Sequence, residues 1–258
     1  MLYIIMMKTV ITDERLGKAC REALARMGFR TILLPPWETL PSPIASHTDM
    51  LLFRCGGSII ASRQYALRYP RIATLIAATG AELRLSDEVQ GEDYPNDSIF
   101  NAAVIGKHLL CKSDTVSRDV LSLAKERGLT PLHTRQGYPA CTTLVLDGSH
   151  AITSDGGIAS LLSSVGVAVL KVSNSGSISL PPYEYGFIGG ASGVCGETVY
   201  FVGNLASHPD AERIEEFIEA SGKRAVSLAP DSDSLLDVGG LIFIDGGTDN
   251  DGNDGQQQ

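Results

Sequence analysis

The chain of 258 residues contains no apolar run approaching the roughly 20 residues needed to span a bilayer. The first apolar stretch, residues 2–7, is too short for the core of a secretory signal, and no basic residue precedes it. Neither export nor membrane binding is expected, so the expected compartment is the cytoplasm. Cysteine is scarce. Cys20, Cys55, Cys111, Cys141 and Cys195 are odd in number, far apart and free of any C-x-x-C pair, which argues against a disulfide framework and a zinc ribbon. Free thiols suit a reducing compartment. Positive charge is also short, with 21 Lys+Arg against 30 Asp+Glu and a net charge of −9. That balance disfavours a nucleic-acid partner, whose binding rests on phosphate neutralisation. There is no G-x-S-x-G elbow and no H-E-x-x-H helix. Gly189-Gly190-Ala-Ser192-Gly193 lacks the lysine of a phosphate loop and the G-x-G-x-x-G spacing, so it reads as a close-packed strand entry with Ser192 as a ligand contact. No cofactor is expected, and no set of metal ligands stands out.

What the chain does have is apolar surface, at 43% hydrophobic against 20% charged residues, and 27 glycines spread along its length. The first excludes a disordered chain. The second shows a repeat. Gly28, Gly80, Gly128, Gly166 and Gly222 each follow a helical pattern and precede an apolar strand, as expected of glycines at the helix C′ position. The five helices that end there are expected to open at Thr12-Asp13, Ser62, the segment 111–115, Ser154-Asp155 and Asn204, whose side chains can cap exposed N–H groups. Hairpin signatures recur ahead of the helices, with turns at Gly56-Gly57, Gly106-Lys107, Asp147-Gly148 and Gly196-Glu197. A fifth hairpin is expected over 234–238 and 241–245 with its turn at Gly239-Gly240; the helix and closing strand it lacks stand at the N-terminus, over 9–34.

The pattern predicts an α/β fold: a five-bladed, pseudo-symmetric propeller of ββαβ-type units, closed by pairing of its N- and C-terminal segments. The units fall at about 46–90, 94–133, 137–173, 183–229, and 232–245 plus 1–37, forming one domain over 1–245. Residues 246–258 read as a disordered acidic tail. The run Asp249-Asn-Asp-Gly-Asn-Asp254 lacks the glycine at position six and the glutamate at twelve of a calcium loop, and reads as solvated tail.

Equivalent positions of such units converge near the axis. Tyr94-Pro-Asn96-Asp97 matches Tyr138-Pro-Ala-Cys141, Asp97-Ser-Ile-Phe-Asn101 matches Asp233-Ser-Leu-Leu-Asp237, and Ser46-His47-Thr-Asp49 precedes Asp97 by a similar interval. This places Asp49, Asp97, Cys141 and Asp233 at one level, with Asn101 and Asp237 equivalent a little further on. A ring of acids around a thiol is costly unless it is solvated or functional, because like charges raise one another's pKa.

The quoted motifs, with Thr134-Arg-Gln-Gly-Tyr138, Ile152-Thr-Ser-Asp155, Gly186-Phe-Ile-Gly-Gly-Ala-Ser-Gly193 and Asp237-Val-Gly-Gly240, resemble the pentein, or guanidino-group-modifying-enzyme, superfamily. They are closest to an uncharacterised bacterial family assigned to that fold. The resemblance implies a five-bladed propeller with a central site, a cysteine nucleophile, a histidine, and acids that clamp a guanidinium. It therefore implies a thiol-dependent hydrolase or transferase acting on a guanidino or amidino small molecule. Cys141 would be the nucleophile, His47 the proton shuttle, and Asp49 and Asp97 the clamps; Asn96, Asn101, Ser192, Asp233 and Asp237 are further ligand-binding candidates. The chain departs from the superfamily in having no cysteine after Cys195, where the last blade would carry the nucleophile. The alternative is a non-catalytic propeller that binds a small cation or a protein partner.

Overall fold

The central strands dictate the packing. Thr9–Asp13, Ser58–Ser62, His108–Cys111, His150–Thr153 and Thr198–Phe201 are short runs that are buried almost throughout. A strand buried on both faces must be covered on both faces, and this governs how the elements are arranged. The computed structural model describes residues 8–174 and 176–244, and the tail expected over 246–258 lies outside them.

In chain order, β1 (Thr9–Asp13), α1 (Lys18–Arg26) and β2 (Arg30–Leu34) form the first unit. The second holds α2 (Thr48–Leu51), β3 (Leu52–Cys55), β4 (Ser58–Ser62), α3 (Arg63–Arg68), α4 (Pro70–Ala77) and β5 (Glu82–Ser86). The third holds β6 (Ala103–Ile105), β7 (His108–Cys111), α5 (Arg118–Glu126) and β8 (Thr130–His133). The fourth holds α6 (Pro139–Thr142), β9 (Thr143–Val145), β10 (His150–Thr153), α7 (Gly156–Ser164) and β11 (Ala168–Lys171). After the short β12 (Ile178–Ser179), the fifth holds β13 (Ser192–Cys195), β14 (Thr198–Phe201), α8 (Ala211–Ala220) and β15 (Arg224–Ser227). The described chain closes with β16 (Leu235–Leu236) and β17 (Ile242–Ile244).

Four units build a three-stranded sheet from an antiparallel hairpin, a crossover helix and a third strand parallel to the second. The remaining three-stranded sheet has the same topology but draws on both ends of the chain. Its order is β17-β1-β2, with β17 antiparallel and β2 parallel to β1. The expected pairing of terminal segments is present. The five expected C′ glycines all have left-handed backbones, with φ between 67° and 90°.

Strand side chains alternate faces, and each central strand uses this to join two neighbours. Val199 and Phe201 of β14 pack with Leu144 and Ile152 of the preceding unit, while Tyr200 of the same strand packs with Val10, Leu16 and Leu24 of the first. Ile11 of β1 joins Ile59 and Tyr65, Ile60 joins Leu109 and Leu123, and Leu110 joins Ala151 and Leu162. Each of these five apolar clusters thus draws side chains from two units. Each fully buried Leu, Ile or Phe contributes about 1.5–3 kcal/mol.

Five local expectations are corrected. Gly239-Gly240 is not a hairpin turn: β16 pairs in parallel with β12, and β17 pairs with β1, so these glycines carry the chain between two sheets. The first helix starts at Lys18 behind Gly17, not at the Thr-Asp of β1, because Asp13 bonds Arg15 instead. The third unit's helix is capped by Ser117 rather than by residues 111–115. The crossover of the second unit has two helices rather than one, because Pro70, which has no N–H to donate, begins a new one. Caps at Ser62 and Asp155 stand where expected, whereas Asn204 caps only a short 3-10 turn, Leu205–Ser207, and α8 starts later, behind Asp210. No helix among the described residues is long and apolar enough to cross a membrane.

Candidate active site

The segments that precede the first hairpin strands are too short for regular helices and too buried for free loops, so they are pinned by backbone bonds. In α2, Asp49 N–H donates to Gly239 O at 3.0 Å. α6 opens on Pro139, whose missing N–H costs nothing at a helix start. Gly190 N–H donates to Cys141 O at 2.9 Å, and the Asn101 side-chain oxygen accepts from Ala140 N–H at 2.8 Å. Glycines are required where these segments meet. A Cβ on Gly190 would lie 2.0 Å from Asp237 Oδ1, and one on Gly239 would lie 2.6 Å from His47 Cβ and Thr48 N. The 189–193 segment is the close-packed strand entry its glycines suggested.

These bonds bring five of the expected residues together: His47, Asp49, Asn101, Cys141 and Asp237, all buried. Cys141 Sγ donates to Asp49 Oδ2 at 2.6 Å, and Asn101 Nδ2 reaches the same sulfur at 3.4 Å. His47 Nδ1 faces Asp49 Oδ1 at 3.9 Å, and its Nε2 faces Asp237 Oδ1 at 3.7 Å and Asp13 Oδ2 at 4.0 Å. These gaps exceed hydrogen-bond distance, so both imidazole nitrogens and Asp49 Oδ1 are buried without a hydrogen-bond partner. Asp237 accepts from Phe187 N–H at 2.9 Å and Gly239 N–H at 3.0 Å.

Burial sets the protonation states. It raises Asp49 to about 8, helped by the nearby Asp237 charge, and raises Asp237 to about 6 against the pull of its two backbone donors. Burial, then the neighbouring acids, pushes the Cys141 thiol well above its ordinary range. Burial, then the Arg15 charge, lowers His47 to about 3. At neutral pH the cluster is therefore poor in charge: the thiol and Asp49 are protonated and the imidazole is neutral. A carboxyl group, rather than the imidazole, is the thiol's direct partner.

The other expected residues lie elsewhere. Asp97 is buried one layer back, where Tyr138 OH donates to its Oδ2 at 2.7 Å and burial raises its pKa. Asn96 and Asp233 are exposed. Ser192 donates to Ile188 O at 2.7 Å and lines a second cavity. Sequence reasoning missed Asp13, fully buried at the end of β1 and bonded through both oxygens to Arg15. It also missed the aromatic wall. The signal for Asp13 was an acid at a strand end followed two residues later by arginine, which was read as a helix start.

His47, Met50, Cys141 and Asp237 open into a cavity of about 370 Å³ walled by Tyr138, Tyr183, Tyr185 and Phe187, with Glu184 also on its lining. A second cavity of about 410 Å³ is lined by residues from all five first strands, β3, β6, β9, β13 and β17, and includes Asp49. One donor atom each from His47, Asp49 and Cys141 lies within 4.8 Å of the others, a spacing that a metal ion could bridge.

The sequence over residues 11–242 matches the model of a family described as a family of unknown function (DUF6873). No curated protein matches the sequence. Among solved structures, the chain is similar to a mutant DDAH from Pseudomonas aeruginosa complexed with citrulline, with a TM-score of 0.55 and 14% identity, covering 87% of this chain and 92% of that one. It is similar to an amidinotransferase from Microseira wollei in the saxitoxin biosynthetic pathway, with a TM-score of 0.54 and 10% identity over 93% and 94% of the two chains. It is also similar to the inosamine-phosphate amidinotransferase of Streptomyces griseus, with a TM-score of 0.53 and 11% identity over the same shares. The shared fold is the pentein α/β fold.

Proposed function

The chain belongs to the DUF6873 family, whose function is unassigned, and from that premise we propose that it is a thiol-dependent hydrolase or amidinotransferase for a guanidino or amidino small molecule. The observation that carries this reading is the bond of Cys141 Sγ to Asp49, beside His47 and Asp237, at the floor of an aromatic-walled cavity. We read the five three-stranded sheets as blades around an axis in one domain, with this cavity at one end of it.

The cavity suits a planar cation. Asp237 retains lone pairs beyond its two backbone bonds and faces the cavity. The tyrosine and phenylalanine rings offer cation–π contacts. A bound guanidinium brings a positive charge to buried groups whose ionised forms are otherwise disfavoured, and so lowers the pKa values of Asp49, Asp237 and Cys141. The thiol proton then passes to Asp49, and the thiolate attacks the central carbon. The carbon–sulfur bond forms, the carbon–nitrogen bond breaks, and the leaving amine takes a proton delivered through His47. Water or an amine then displaces the sulfur and restores the thiol. Asp97 acts from behind by orienting Tyr138, a change from the direct clamp expected of it.

The raised thiol pKa favours the second reading, in which the same cavity binds a cation without chemistry. Alkylation separates the readings. Iodoacetamide should label Cys141 ahead of Cys20, Cys55, Cys111 and Cys195, arginine or agmatine should protect it, and turnover of one such compound should leave a transient amidino adduct on it. Protection without adduct or product supports binding alone. Slow, equal labelling of all five thiols, unchanged by arginine or agmatine, overturns both.

A further inference from the structure

Asp49 Oδ1 and the imidazole nitrogens are buried without hydrogen bonds, and an unmet buried polar atom costs about 1–3 kcal/mol. His47 Nδ1 and Asp49 Oδ1 face each other at 3.9 Å, and Cys141 Sγ stands against the other oxygen of the same carboxylate. Tetrahedral zinc, with bonds of about 2.0–2.3 Å, holds its ligand atoms roughly 3.3–3.8 Å apart. The cluster needs only small side-chain shifts to reach that spacing.

We propose that Cys141 Sγ, His47 Nδ1 and an oxygen of Asp49 form a three-ligand site for a thiophilic divalent cation, zinc above all, with the fourth position open to the cavity. The donor set is mixed N, O and S, which suits zinc and disfavours magnesium or calcium. Binding through Nδ1 leaves Nε2 pointing at Asp237 and Asp13, an arrangement in which a carboxylate behind a ligating histidine fixes its ring. Arg15 in turn holds Asp13. The bound thiolate could not attack carbon, so an occupied site would be closed to alkylation. The inference stands on the geometry of the cluster and not on the amidino reading.

The test is uptake of metal by the metal-free full chain. Cobalt(II) should bind at one equivalent with a thiolate-to-cobalt charge-transfer band, and zinc should displace it. The band should vanish in Cys141→Ser. Zinc affinity, read by competition with a chromophoric chelator, should fall at least about tenfold in His47→Gln and Asp49→Asn, while Asp233→Asn matches the wild type. Zinc should also block alkylation of Cys141 in the unmutated chain, a readout that needs no variant to fold. Substoichiometric uptake, an unchanged band in Cys141→Ser, or alkylation indifferent to zinc would overturn the site. Zinc uptake without guanidino protection would refute the amidino reading and leave this one standing; protection without uptake would do the reverse.

Discussion

Two cavities flank the Asp49 segment, yet only one gathers reactive side chains. The cavity lined by β3, β6, β9, β13 and β17 is walled by the first hairpin strands, and its lining is mostly small and aliphatic, with Arg54 bonded to backbone carbonyls. The other is walled by the segments that enter those strands and by residues 180–187, and it gathers a thiol, an imidazole, acids and four aromatic rings. Asp49 stands between the two, on the lining of the first and bonded to the sulfur of the second. Strand bodies must satisfy pairing and packing on both faces, which leaves little freedom for polar chemistry. Strand entries have their backbone bonds met by neighbouring segments, so their side chains can be spent on a site.

The largest effect that would break this contrast is chemical. Cys141→Ala should abolish adduct formation and turnover while Ser192→Ala, in the other cavity, keeps both; a progress curve for each variant decides it. Next comes the backbone at the site. Gly239→Ala adds a Cβ to a left-handed residue with φ 67°, 2.6 Å from His47 Cβ and Thr48 N, and should cost about 2 kcal/mol or more in urea unfolding. Gly196→Ala has a similar φ of 57° and nothing within 4 Å, so it should cost only about 1 kcal/mol. Equal losses would show that strain alone, and not contact with the site, sets the cost.

Burial of Asp49 predicts a pH effect of definite sign. Its pKa is about 8 in the folded chain against 3.8 for the ordinary group. The folded state therefore holds a proton that the unfolded state has lost, and stability from this group declines as pH rises from about 4 to about 8. Asp237, at about 6, contributes in the same direction up to that point, whereas His47, lowered to about 3, contributes oppositely below its ordinary value of 6.5. Between pH 6.5 and 8 the Asp49 contribution remains, at about 1.4 kcal/mol per pH unit at most. In chelator-treated protein, Asp49→Asn should flatten the decline; an unchanged slope would mean that Asp49 is not the proton holder. The smallest effect is Tyr138→Phe, which removes the bond to Asp97 and should cost about 1 kcal/mol.

The fold was legible because its signals are local and repeated. A glycine at C′ and a two-residue turn declare themselves within a few residues, and five copies reinforce one another. The Gly239-Gly240 turn misled for the same reason: it has the local signature of a hairpin, but the segments after and before it pair with β1 and β12, distant in sequence. The site was legible where an unusual residue sat at a repeat position, as with Asp49, Cys141, Asn101 and Asp237. Asp233 shares the motif of Asp97 yet is exposed, because the chain runs four residues further before it reaches the cluster at Asp237. The aromatic wall was hidden because Tyr183, Tyr185 and Phe187 lie in a connection with no repeat to mark it.

The central claim is that Cys141 sits in a cavity made for an amidinium-type cation. Chloroacetamidine and chloroacetamide differ mainly in that charge, so their rates of alkylation, mapped by peptide mass spectrometry after metal removal, test it directly. The account predicts that the cationic reagent modifies Cys141 at least about tenfold faster, a difference of about 1.4 kcal/mol, and spares the other four thiols. A neutral reagent that reacts as fast or faster, or a cationic one that spreads over all five, would contradict it.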